Sequence, residues 1–168
     1  MTGSFNFFLH MIFFGLTVSA LVVSFYFHKR IIAEPSWEKK LYLGGLMMPF
    51  SKLAHYNVAM LLITGIINMA NRYGGFSVPW PMEHWLLTKI ILFLIVSFNG
   101  LYVAKRMGMK RAMLIKSVVE GKGPADAEEQ LQKQNAGLTR LFYVQITILT
   151  LIILLSAFFS GKHPFVVF

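Results

Sequence analysis

The stretch FNFFLHMIFFGLTVSALVVSFYF, Phe5–Phe27, runs into His28-Lys29-Arg30 without a break. A helix needs about 20 apolar residues to cross a hydrocarbon core of about 30 Å, and this run supplies them. No basic residue precedes it, and it is longer than the apolar core of a cleavable signal peptide. It therefore reads as a retained span whose basic flank stops transfer. Outward from it lie three further runs of the same kind, Met47–Ala70, Trp85–Ala104 and Leu138–Ser160. They are continuous rather than alternating, which excludes a membrane β-barrel. Composition agrees: 56% of the chain is hydrophobic and 14% charged, against about 25% charged in a soluble domain. The sequence predicts an all-α integral membrane bundle of four transmembrane helices, one domain over residues 1–168.

Basic residues set its orientation. Five (Lys29, Arg30, Lys39, Lys40, Lys52) lie between the first two spans, and eight, from Lys105 to Arg140, between the last two; Arg72 and Lys162 stand alone on the other side. By the positive-inside rule the first and third loops are cytoplasmic and both termini lie on the outer, periplasmic side of a bacterial inner membrane. The net charge of +9 is thus a topology signal, and no nucleic-acid partner is expected. In the basic loop 105–137, Met107–Glu120 reads as an amphipathic extension of the third span. Gly121-Lys122-Gly123-Pro124 breaks it, and Ala125–Asn135 reads as a short polar helix. The loop either touches anionic lipid headgroups or docks an anionic partner. Gly74-Gly75 and Pro79-Trp80-Pro81 suggest a rigid external turn. The absence of cysteine excludes disulfides, thiolate metal sites and cysteine nucleophiles.

An ionisable group inside a span is costly and is a functional candidate by default. His10 lies in the first span, on one stripe with Thr17, Ser24 and His28. His55 opens the second span with Ser51 one turn before it; Asn57, Thr64, Asn68 and Asn71 form a stripe on the opposite side. Lys89 lies near the outer end of the third span, and Asn99 near its inner end. Each histidine is either a structural group or a ligand to haem iron; Lys89 is either an interfacial anchor or a polar partner to His10 at matching depth. Depth pairs His10 with Lys89 on the outer side and His55 with Asn99 on the inner side. His10, His55 and Asn99 are the candidate cofactor-binding residues. At 1.5 Å per residue the two histidines differ in depth by roughly 13 Å, which favours separate haems over a shared one unless a span shifts or tilts. No Asp or Glu lies in a span, and no phosphate loop, Ser-His-Asp set or zinc motif occurs. That pattern argues against proton-coupled pumping, ATP use and hydrolysis.

Phe8-Leu9-His10-Met11-Ile12-Phe13, Thr64-Gly65-Ile66, Trp85-Leu86-Leu87-Thr88-Lys89-Ile90 and the apolar Leu141–Phe159 together resemble the HemJ-type protoporphyrinogen oxidases and the related four-span domain of copper-resistance protein D (CopD). The resemblance implies a membrane redox protein that holds haem b and acts on a tetrapyrrole or quinol, with His10 and Lys89 as its functional residues. The chain departs from the HemJ pattern at Phe98-Asn99, where that family has Tyr-His, and at His55. Two other readings stand beside it. One is an accessory subunit of a larger membrane complex or a homo-oligomer. The other is a CopD-like metal permease, for which the methionines are poorly placed, since no Met-x-x-Met pair lies in a span.

Overall fold

The computed structural model describes residues 2–75 and 84–159, and every regular element in them is helical. Helix α1 covers Thr2–Ala33, α2 Trp37–Tyr73, α3 His84–Phe98, α4 Lys105–Val119 and α5 Ala127–Phe159. A π-helical segment, Asn99–Ala104, joins α3 to α4 as one rod. There are thus four helices long and apolar enough to cross a membrane: α1, α2, α3 with α4, and α5. The chain is an all-helical integral membrane protein.

The helices are longer than the apolar runs. The 32 residues of α1 rise about 48 Å, well beyond a hydrocarbon core of about 30 Å. The surplus lies on the basic side. The connection between α1 and α2 is only Glu34–Ser36, because Lys39, Lys40 and their neighbours are already helical. Lysine and arginine report the side of the membrane, but they are also good helix formers, so a basic stretch need not be a loop. Ser36 starts α2 by accepting a hydrogen bond from the Lys39 amide, with Glu38 in the first turn. The amphipathic extension expected at Met107–Glu120 is α4. It ends at Gly121, whose φ of +72° lets the Lys122 amide reach back to the Ser117 carbonyl at 2.8 Å. The short polar helix expected at Ala125–Asn135 is instead the first part of α5, which runs unbroken from Ala127 to Phe159. On the outer side, Gly74 (φ +63°) caps α2; Pro79-Trp80-Pro81 lies outside the described residues.

These extensions carry the tightest packing. Ile31, Leu114, Ile115, Ala127 and Leu131 form a buried cluster flanked by Trp37, Leu41, Leu43 and Val118. It unites the ends of all four rods below the membrane. Within the membrane, Phe8, Ile63, Leu94 and Phe158 are exposed, as side chains facing lipid should be. Helix α1 packs along α2, and α3 along α5, whereas α3 has no extensive packing with α1 or α2. The outer half is therefore two helix pairs with a seam between them.

Candidate functional site

His10 stands on that outer half, where the buried face of α2 meets α1. That face is the stripe Asn57, Leu61 and Thr64. His10 Nδ1 lies 2.9 Å from Thr64 Oγ1. The direction of this bond follows from Thr64. Its single hydroxyl hydrogen points to the Met60 and Leu61 carbonyls, at 2.8 and 3.2 Å. Thr64 can therefore only accept from the imidazole, so Nδ1 carries the proton and Nε2 keeps its lone pair. Asn6 secures the same spot, donating to the Thr64 carbonyl at 3.0 Å and to Asn68 Oδ1 at 2.6 Å. Thr64 is only 3% exposed. Gly65 leaves room for the ring, since a Cβ there would lie 3.3 Å from His10 Cε1.

The Thr64 hydroxyl sets the orientation of His10, so its removal is measurable. Thr64→Val should cost about 1 kcal/mol, the usual worth of an interhelical hydrogen bond in a membrane. In detergent this reads as a fall of about 2–4 °C in Tm. Thr64→Ser, which keeps the acceptor, should recover more than half of the loss. Equal losses from the two variants would show that the hydroxyl does not hold the histidine.

His55 repeats the arrangement with a different partner. Its Nδ1–H donates to the Ser51 carbonyl at 2.6 Å, one turn back on α2. Its Nε2 is buried and has no hydrogen-bond partner. Nine residues separate His55 from Thr64, which places them about half a turn apart around α2 and about 13.5 Å apart along it. The two imidazoles thus serve opposite faces at different depths, and no single metal atom can bind both.

Lys89 is half-buried on α3, with its ammonium 5.3 Å above the Trp85 ring and close enough to His10 for its charge to act there. Arg72 lies over the same ring at 5.6 Å. On the outer side Lys89 thus acts electrostatically on His10, and Arg72 adds a second cation beside Trp85. Asn99 opens the π-helical segment, half-buried, and makes no hydrogen bond to His55. Opposite that segment, Gln145 lies 3.1 Å from where a Cβ on Gly100 would be.

A second polar cluster went unread in the sequence. His28 is fully buried at 0% exposure and Arg111 is 4% exposed. Arg111 Nη1 donates to His28 Nδ1 at 2.8 Å and reaches Asn135 Oδ1 at 3.4 Å. An arginine only donates, so His28 carries its proton on Nε2 and gives it to Thr139 Oγ1 at 2.8 Å. Thr139 passes its own hydrogen to the Asn135 carbonyl. Both nitrogens of His28 are thus committed. The available signal was the spacing Arg111, Leu114, Ile115, Val118, which puts the arginine on the apolar face of α4.

For a metal cofactor, the donor sets at His10 and His55 fit. A ligating histidine normally donates its other ring N–H to a carbonyl or similar acceptor, which fixes the tautomer and aims the free nitrogen. Both residues are held in that way. Among the described residues, no group of three His, Cys, Asp or Glu gathers around either of them.

A profile of the copper resistance protein D family matches residues 44–159, which is 116 of the 168 residues. The matched part holds His55, Thr64, Arg72, Lys89 and Asn99, while His10 and His28 precede it. No curated protein and no solved structure gives a significant match. With the match running through α2 and on through α3, α4 and α5, the protein belongs to the copper resistance protein D (CopD) family of membrane proteins.

Proposed function

We propose that the protein is a haem b-binding redox protein of the bacterial inner membrane, with the haem iron held by Nε2 of His10 and a separate iron by Nε2 of His55. The observation that carries this reading is the shared tautomer: each imidazole gives its Nδ1 proton to a neighbour, which leaves the lone pair on Nε2, and that of His55 is buried without a hydrogen-bond partner. Haem brings four nitrogen ligands of its own, so one protein nitrogen suffices to hold it. A bare copper ion needs several protein ligands, and no group of three His, Cys, Asp or Glu gathers at either histidine among the described residues. Haem would supply one-electron chemistry, and the protein would set its potential through the axial ligand and burial.

The chain's own residues divide the remaining work. Thr64 and Asn6 orient His10. Lys89 and Arg72 place two positive charges at the outer end, suited to a haem propionate or an anionic tetrapyrrole, and Trp85 supports both. A cation beside a carboxylate there lowers the cost of burying either. A quinol or a porphyrinogen is the proposed reductant, reaching the site from the bilayer through the seam between the helix pairs. The second reading, carried by the family's description, is copper handling at the same outer histidine.

An absorption spectrum of the detergent-purified protein, oxidised and then dithionite-reduced, separates the two. Haem b gives a sharp reduced α band with about stoichiometric haem. His10→Ala should then remove that band or cut bound haem at least tenfold, and His55→Ala should remove its own share. A colourless, folded protein that binds copper in a His10-dependent way would replace haem with copper.

A further inference from the structure

We propose that a groove on α5 at the cytoplasmic membrane surface is a binding site for one anionic phospholipid. The groove has a volume of about 640 Å³ and is lined by Ala136, Thr139, Arg140, Tyr143, Val144, Thr147 and Ile148. Its residues run from Ala136 to Ile148 on one helix, twelve steps or roughly 18 Å of rise. It therefore runs from the headgroup level into the acyl region.

Its two ends differ in chemistry in the way a phospholipid does. At the cytoplasmic end stands the exposed Arg140, for which no ion pair occurs among the described residues. Beside it, Lys29 Nζ lies 5.8 Å from the Tyr143 ring centroid and 5.4 Å from that of Phe25. Tyr143 is thus flanked by two cations from two different helices, α1 and α5. The aromatic contacts Phe25–Phe142 and Phe25–Tyr143, at 5.5 and 5.7 Å, hold these helices together at that level. Farther along, Val144, Thr147 and Ile148 offer a surface with no charge. A phosphodiester between Lys29 and Arg140, with an acyl chain along Val144 and Ile148, satisfies both ends. A zwitterionic lipid brings its own cation to the same place and gains less. The site lies on the opposite side of the membrane from Lys89 and does not depend on the haem reading.

The experiment is native mass spectrometry of the full chain, purified in a mild detergent and exchanged into equal amounts of phosphatidylglycerol and phosphatidylcholine. A basic residue near an anionic headgroup is worth about fivefold in binding, so two give roughly twenty-five-fold. The wild type should retain one phosphatidylglycerol with about that selectivity, and Lys29→Gln with Arg140→Gln should abolish it. Lys110→Gln with Lys122→Gln, which removes equal charge elsewhere on the cytoplasmic side, should leave it unchanged. Thr147→Trp, which fills the groove and keeps both cations, should lose the retained lipid. Three results would overturn the proposal: selectivity surviving the first double variant, equal loss in the control, or a stable dimer cross-linked through Thr147→Cys that covers this face.

Discussion

Replacing His28 by Phe should destabilise the protein by about 3 kcal/mol, the cost of leaving a buried charged donor without its acceptor. Phenylalanine keeps the ring and its contact with Phe142, whose centroid lies 5.1 Å from that of His28. What it removes is the acceptor for Arg111. The guanidinium would then remain at 4% exposure with only the longer bond to Asn135. Adding Arg111→Met should recover most of the loss, since removing both partners of a buried hydrogen bond costs far less than stranding one. Thermal unfolding in detergent should show a fall of roughly 10 °C for the single variant and a much smaller one for the double. If the double variant melts no higher than the single one, the charge on Arg111 is not what makes His28 necessary.

Leu131→Ala should have an effect of similar size. Leu131 is 1% exposed and lies in the cluster shared by Ile31, Leu114, Ile115 and Ala127. Truncating it removes buried methyl groups and leaves a cavity that well-packed neighbours fill only in part, at about 2–5 kcal/mol. The same change at Leu94, exposed at 52% on the outer half of α3, should cost well under 1 kcal/mol, because a lipid chain replaces the lost contacts. Melting temperatures of the two variants in the same detergent give the comparison. Similar losses would mean that the stabilising core is not below the membrane.

The apolar runs made the four spans legible, because a membrane requires continuous hydrophobicity and little else imitates it. Helix ends were not legible. Residues 29–52 and 105–137 carry most of their charge on helices, and charge says where a segment sits without saying how it is folded. His10, His55 and Lys89 were legible as candidates, since an intramembrane ionisable residue stands out against its neighbours. Their partners were less so. His10 with Thr64, and Asn6 with Asn68, lie at equal distances on either side of residue 37, and that symmetry becomes visible only once the α1–α2 turn is known to be three residues long. His55 and Asn99 share no hydrogen bond, since depth alone fixes neither the face a side chain occupies nor which helices pack. Arg111 was counted as one more cytoplasmic charge, although its spacing from Leu114 and Ile115 set it apart.

The placement of the buried cluster gives the molecule the mechanics of four beams fixed at one end. Below the membrane every rod is tied to the others, and the His28–Arg111 bond braces that joint. Toward the outer surface the beams separate into two pairs, and a small rotation at the base becomes a larger displacement at the tip. A change at the base is therefore felt by the whole fold. A change at the tip, where the two pairs share little packing, strains fewer contacts. Such a framework gathers its stiffness on the basic side and leaves the other ends of the two pairs with few ties to each other.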